Sequence, residues 1–312
     1  MNVFIRANHK HKGIDRFLAS LAIHGRCKIK YINDINEASH HYSDIVVFGG
    51  FLPQEVAVFK QINKKFKKIY TTFCSPFGQA DLNSSDFYSP EIVQLINAVN
   101  LKKEGLVENV FTQSTSLAWK FGFQYIPPVR ILPVSHKLFK KERKNYGFLG
   151  NNLRKHKNTV NQLAAISDLA PTEPIIVSDA RLYEHYGKLF NCEFITKKLN
   201  DDEYFPEIAS HRLNFECSHS EAFDYVALEY ALMGVPSIVG PCIDWYWGEA
   251  DIQVVTVYNI DSPKAIWAAA DYLLKEDVYW ETSERIQEFA WKFNESQGNL
   301  LYDTIGKILN DS

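Results

Sequence analysis

The order of segments predicts an α/β chain made of two doubly wound units and closed by C-terminal helices. Strand-like and helix-like segments alternate from Asn2 onward, the mark of a mostly parallel sheet covered by helices. The alternation stops at a proline-bearing, basic stretch, Pro127–Asn145, and restarts at Tyr146. From Lys264 to the end the sequence is near-helical throughout.

In the first unit "NVFIRA" (Asn2–Ala7) predicts a strand and "GIDRFLASLAIHG" (Gly13–Gly25) a helix closed by glycine. "KIKYI", "DIVVFGGF" and "KIYTTF" are short β-branched and aromatic runs that predict strands, with a helix at Gln54–Phe66 between the last two. A helix at Glu91–Glu104, a strand at "NVFTQ" and a short helix at Leu117–Phe121 follow. "FCSPFGQADLNSSD" (Phe73–Asp86) is expected to be a long polar loop. In the second unit "YGFLG" predicts a strand, "KNTVNQLAAIS" a helix, "EPIIVSD" a strand, "ARLYEHYGKLF" a helix, "CEFIT" a strand, "DDEYFPEIAS" a helix and "RLNFECS" a strand. The expected division is residues 1–143, residues 144–285, and a helix over residues 286–312 that packs back on the first unit.

The chain has 312 residues, 46% hydrophobic and 23% charged, ordinary values for a globular protein. No apolar run reaches the length of a membrane span, and "MNVFIRANHKHKG" does not read as a signal peptide. Five scattered cysteines without a CxxC pair fit a reduced, cytoplasmic compartment. His9 with His11 and His40 with His41 lack the Cys or acidic companions of a metal site, so no metal is expected. The net charge of −3 hides a split: up to Asn145 there are 21 basic and 11 acidic residues, and after it 13 basic and 26 acidic. A basic first unit suits an anionic partner, nucleic acid or a lipid-linked acceptor at a membrane surface.

The most informative stretch is "SHSEAFDYVALEYALMGVPSIVGP", Ser218–Pro241. From Ala222 to Met233 nearly every residue is apolar or aromatic, which predicts a buried helix stopped by Gly234 and Pro236, followed by a strand at "SIV". Glu229 sits inside that helix with no lysine or arginine in helical reach. A buried lone carboxylate is costly, so a partner is required, and a ligand is the expected one. Open α/β sheets bind ligands beyond the carboxyl ends of their strands. "RLNFECS" delivers Ser218, His219, Ser220 and Glu221 to that rim, and the helix opening at Ala222 and Phe223 offers N–H groups to an anion. Glu221 and Glu229 are roughly 12 Å apart along a helix axis. A nucleotide sugar, with hydroxyls on both sides of a diphosphate, matches that layout.

These residues resemble the signature of the family 4 glycosyltransferases of the GT-B fold: two glutamates separated by seven residues, a small-residue turn, G-x-P and a strand. "CEFITKKLNDDEYFPEIASHRLNFECS" resembles the family's run-up to that signature, and "YGFLGNNLRKHKN" the start of its second domain. The match covers Tyr146–Pro241. The resemblance implies two Rossmann-like domains facing a cleft and transfer of a sugar from a nucleotide donor, such as a UDP-sugar, with retention and without a metal or other cofactor. It implies that Glu221 binds the donor sugar near the reacting carbon and is the catalytic residue, and that Glu229 holds the ribose. It places the diphosphate on cations among Arg154, Lys155 and Lys157. The family puts an arginine just after the strand glycine, where this chain has Asn151 and Asn152, so Arg154 is the expected substitute. Ile195 and Thr196 would meet the base through their backbone.

In the first unit His9 and His11, and Ser75, Gln79 and Asp81 after a strand, are the candidates for the acceptor side. "KQINKKFKKIY" reads as a solvated lysine face or as a docking face for anionic lipid or DNA. "DWYWGEAD" (Asp244–Asp251) either caps the donor site or packs. Two other functions fit the pattern: a glucosyltransferase acting on modified bases of DNA, and a GT-B-like binding subunit without turnover. A dinucleotide dehydrogenase does not fit, because no G-x-G-x-x-G follows a predicted strand.

Overall fold

The computed structural model describes residues 1–6, 12–41, 43–82, 90–132, 143–148, 155–169, 175–178, 184–197, 199–246 and 249–310. The chain divides into two compact units, Met1–Ile131 with Asn294–Ser312, and Leu132–Phe293.

The first unit runs β1 (Asn2–Arg6), α1 (Lys12–His24), β2 (Lys28–Ile32), β3 (Ile45–Phe48), α2 (Val56–Ile62), β4 (Lys68–Thr72), α3 (Phe77–Leu82), α4 (Pro90–Lys103), β5 (Asn109–Thr112), α5 (Thr115–Phe121) and β6 (Gln124–Tyr125). Among the described residues its six strands are all parallel, in the order β2-β1-β3-β4-β5-β6. A parallel sheet is covered on both faces, and every residue of "IVVF" in β3 is accordingly buried. Phe4, Phe48 and Phe59 lie in one core cluster and Val3, Leu18, Val47 and Phe111 in the other. The polar loop expected at Phe73–Asp86 is partly wrong. Phe77–Leu82 forms α3, a six-residue helix. β6 also had no counterpart in the sequence expectations, since two residues carry no period.

The second unit runs β7 (Asn145–Gly147), α6 (Thr159–Ser167), β8 (Ile175–Ser178), α7 (Glu184–Phe190), β9 (Glu193–Thr196), α8 (Asp201–Ala209), β10 (His211–Glu216), α9 (Tyr225–Leu232), β11 (Ser237–Val239), α10 (Pro263–Leu273) and α11 (Glu276–Asn310). Among the described residues its five strands are parallel in the order β11-β10-β7-β8-β9. Local chemistry sets the boundaries. Asn200 and Glu203 cap the start of α8 reciprocally, and Ser262 with Pro263 opens α10. Gly234 ends α9 in the left-handed region at φ +69, a conformation cheap for glycine alone.

The last helix serves both units. Its residues through Phe293 count with the second unit and those from Asn294 with the first. Leu301 and Ile305 lie in one core cluster with Phe17, Leu18 and Leu21 of α1. Within the first unit, the Asn294 side chain accepts from Arg130 N at 2.8 Å and donates to Arg130 O at 3.0 Å. Among the described residues no helix is long and apolar enough to cross a membrane.

Candidate active site

The strand order of the second sheet locates the site. The chain enters at β7, moves outward through β8 and β9, then returns to β10 on the other flank of β7. Gly147 at the end of β7 pairs with Asn214 near the end of β10. This reversal is the topological switch point, where the crevice beyond the strand ends receives ligands.

Two segments meet there. Lys155–Lys157 forms a short 3-10 turn before α6, and Cys217–Glu221 leaves β10. Side chains that follow the first segment clamp the second. Asn158, in the left-handed region at φ +52, donates to the carbonyls of Cys217 at 3.1 Å and Ile260 at 2.7 Å. Gln162 accepts from Cys217 N at 2.8 Å and donates to Lys157 O at 2.7 Å. His219 N donates to His156 O at 2.7 Å. Buried amides used this way hold backbone that no sheet or helix ladder satisfies.

The clamp brings Lys157 to the carboxylates. Its ammonium lies 2.6 Å from Glu221 Oε1 and 3.8 Å from Glu216 Oε2. The Lys157 and Glu221 side chains are each 12% exposed and that of Glu216 is fully buried. Burial alone would lower the Lys157 pKa, but the charges of Glu221, Glu216 and Asp224 outweigh it and leave it raised. Lys157 is therefore a fixed cation. Glu216 is pushed well above the usual carboxyl range, first by burial and then by the Asp224 charge.

Asp224 caps α9, which starts at Tyr225, three residues later than the helix expected from Ala222. Its carboxylate accepts from Ala227 N at 3.0 Å. One of the N–H groups expected to face an anion is thus already taken by the chain itself. Burial, with the nearby Glu221 charge, raises the Asp224 pKa to about 6 against the pull of Lys157.

Glu229 is fully buried on α9, as the all-apolar helix implied, and the chain itself supplies it with a partner. The Tyr204 hydroxyl of α8 donates to Glu229 Oε2 at 2.7 Å. A neutral tyrosine from another helix supplies what no lysine or arginine in helical reach could. The next residue, Tyr230, is within 2.6 Å of Nδ1 of the buried His211. His211 Nε2 lies 3.3 Å from Glu207, which also pairs with Lys197 at 2.7 Å. Burial lowers the His211 pKa, so the neutral ring accepts from Tyr230 and donates to Glu207. Gly147 is required beside this pair, because a Cβ there would collide with the Tyr230 hydroxyl and His211 Nδ1.

Of the donor-side residues expected from the sequence, Lys157, Ser218, Ser220 and Glu221 gather at this rim, with Ala222 half-buried beside them. The Ser218 hydroxyl is buried without a hydrogen-bond partner among the described residues. His219 faces Asp261 at 3.7 Å. Phe223 instead packs into an aromatic cluster, stacked on Phe293 at 6.2 Å and tilted on Trp245 at 6.1 Å. Trp245 itself stacks on Tyr246 at 4.0 Å, so the aromatics of "DWYWGEAD" that are described pack rather than stand free. Lys155 is exposed. Ile195 is half-buried and Thr196 exposed on β9, the outer strand, two places away from β7. In the first unit Ser75 and Gln79 are half-buried, Gln79 and Asp81 lying on α3. His9, His11 and Arg154 lie outside the described residues. Among the described residues no group of three or more His, Cys, Asp or Glu is arranged to hold a metal ion. Asn158, Gln162, Glu216 and Asp224 were not anticipated. A glutamate inside the buried strand "LNFEC" and an aspartate just before an apolar helix were the available signals.

Solved structures of the same architecture span the whole chain. The sucrose-phosphate synthase from Thermosynechococcus elongatus matches with a TM-score of 0.69 at 12% identity, covering 100% of each chain. The HepE protein of Anabaena, in complex with UDP and glucose, matches with a TM-score of 0.70 at 12% identity, also covering 100% of each. The fold is GT-B. A glycosyltransferase from Rickettsia africae matches with a TM-score of 0.61 at 12% identity, covering 100% of this chain and 99% of its own. No family model matches the sequence, and no curated protein sequence does. At such identities the likeness speaks for the GT-B fold and leaves chemistry to the residues.

Proposed function

We propose that the chain is a glycosyltransferase of the family 4 type that moves a sugar from a nucleotide-sugar donor to an acceptor, with retention of configuration. The observation that carries the reading is the placement of Lys157 against Glu221 at the switch point of the second sheet. A departing nucleoside diphosphate accumulates negative charge, and a fixed, partly desolvated ammonium stabilises that charge more in the transition state than in the ground state. Lys157 takes that role. Glu221, bridged to it, accepts hydrogen bonds from donor-sugar hydroxyls and fixes the anomeric carbon. Glu229 takes the ribose hydroxyls, with Tyr204 orienting its carboxylate. Glu229 has no exposed surface, so that contact requires the side chains over it to move.

The neighbours' ligands support a uridine donor, since HepE is described with UDP and glucose and with UDP-glucose. The reading calls for no resident cofactor, and the cation at the diphosphate is a lysine rather than a metal. The acceptor is assigned to the basic first unit. Lys64, Lys65 and Lys67 form an exposed face between α2 and β4, suited to an anionic acceptor in the cytoplasm or at a membrane surface.

The test is product analysis. Wild-type protein is incubated with a panel of nucleotide sugars, and free sugar and nucleoside diphosphate are quantified. Slow release of both from one donor, lost in Glu221→Gln, is expected. A panel that yields no diphosphate from any donor overturns turnover and leaves a non-catalytic binding subunit.

A further inference from the structure

The exposed lysines of the first unit gather at one end of its sheet. The described strands all run the same way, so the segments that enter them line one edge and the segments that leave them line the other. Ligands of open α/β sheets sit beyond the carboxyl edge. Lys64, Lys65 and Lys67 precede β4, Lys103 closes α4 ahead of β5, and Lys120 lies near the end of α5 ahead of β6. Arg26 and Lys28 stand at the entry to β2. All of these side chains are exposed, and all belong to the amino-terminal edge.

Contacts join the helix ends there. The Lys60 ammonium in the last turn of α2 pairs with Glu104, just beyond α4, at 3.3 Å. The Lys102 ammonium of α4 donates to the carbonyl of Phe121 at 3.3 Å and to that of Gly122, which close α5. Lys68 N donates to Asp44 O at 2.9 Å, which joins the entries of β4 and β3. With strands about 4.8 Å apart, the entries of β4, β5 and β6 span roughly 10 Å, and the edge from β2 to β6 roughly 24 Å. The exposed acids of this edge among the described residues are Asp44, Glu104 and Glu108, and Glu104 is taken by Lys60.

Two large apolar side chains project from the same edge. Trp119 is 85% exposed beside Lys120, while α5 turns Leu117 into the core instead. Ile23 is 58% exposed near the end of α1, three residues before Arg26. Clustered ammonium groups with an indole among them match a lipid headgroup layer: the cations meet the phosphates, and the amphipathic ring settles at the boundary between water and acyl chains.

We propose that the amino-terminal edge of the first sheet docks on an anionic lipid surface, with the lysines ahead of β4, β5 and β6 against the headgroups and Trp119 set between them. The docking does not rest on the donor chemistry. It deepens the assignment of the acceptor to the first unit, and that part rests on the functional reading above. Lys64, Lys65 and Lys67 then hold the surface that carries the acceptor, and the carboxyl edge of the same sheet is left for the acceptor's reacting group. Attachment of this kind is peripheral, and salt weakens it because the charges stay in water.

The test is co-sedimentation of the full chain with phosphatidylcholine vesicles, with and without added phosphatidylserine. The expected result is binding to the anionic vesicles alone, lost between ~0.1 M and ~1 M salt as the Debye length falls from ~10 Å to ~3 Å. Lys103→Gln combined with Lys120→Gln should lower the partition coefficient by roughly tenfold or more. Trp119→Ser should weaken binding and remove most of the quenching of tryptophan fluorescence by brominated lipid. Lys264→Gln combined with Lys275→Gln, two exposed lysines of the second unit, should change nothing. An equal loss from that control pair would overturn the edge assignment. Binding to duplex DNA but not to vesicles, or to neither, would overturn the lipid surface as partner. Failure of the functional reading looks different: no nucleotide sugar releases a diphosphate, while vesicle binding and its loss in the edge variants stand.

Discussion

The Lys157 ammonium lies 2.6 Å from a Glu221 carboxylate oxygen, at the point where the second sheet reverses its strand order. The contact joins the turn after β7 to the segment after β10, and it is held from behind by Asn158 and Gln162. Removing the cation alone strands Glu216 and Glu221. Breaking a buried pair in this way costs about 3–5 kcal/mol, so Lys157→Met should destabilise the protein by an amount of that order.

The pH dependence of that loss has a definite sign. The folded-state pKa values of Glu216 and Asp224 are raised, so their protonation favours the fold at low pH and the benefit is lost as pH rises through the folded pKa. Without Lys157 both rise further. Urea denaturation should therefore show a smaller cost of Lys157→Met below about pH 6 than above it. A cost that is the same on both sides would place the main effect in packing of the lysine stem.

Tyr204 and Glu229 make a second separable pair. Tyr204→Phe leaves Glu229 Oε2 without its hydroxyl donor and should cost about 1–3 kcal/mol of stability. Glu229→Gln keeps the shape and can still meet Tyr204, so its stability loss should be smaller. If Glu229 holds the ribose, its affinity for UDP should fall by about tenfold or more, the worth of a charged hydrogen bond. Unchanged UDP affinity in Glu229→Gln with intact folding would remove the ribose role.

Glu207 predicts behaviour in acid. The hydrogen bond from His211, together with the Lys197 pair, holds its pKa at about 2, below its ordinary 4.5. A depressed carboxyl contributes stability that is complete above the unfolded value and lost as pH falls from about 4.5 towards 2. Thermal melts across that window should show a shallower decline in Glu207→Gln than in the wild type.

Turnover should survive EDTA. Lys157 supplies the charge that a divalent ion would bring to the leaving diphosphate. Loss of activity on chelation, restored by magnesium or manganese, would contradict that assignment.

The sequence showed the alternation and most strands because buried β-branched runs such as "IVVF" and "SIV" are short-range signals. It missed α3, since "FGQADL" has no apolar period. Tyr204 as a partner of Glu229 was not foreseen, because helical spacing sees only its own helix and Tyr204 reaches across from α8. Lys157 and Glu221 each stood out through the resemblance, but their contact did not, because it depends on the side-by-side placement of β7 and β10. Glu216 and Asp224 were visible as letters. Only the fold shows that both are buried.

The central claim is that the site at Lys157 and Glu221 takes a nucleotide sugar, and calorimetric titration with UDP-glucose tests it most directly. Saturable binding to the wild type is predicted, weakened at least tenfold, about 1.4 kcal/mol, in a folded Lys157→Gln variant. Equal affinity in the two proteins, or no binding by the wild type of any nucleotide sugar, would contradict it.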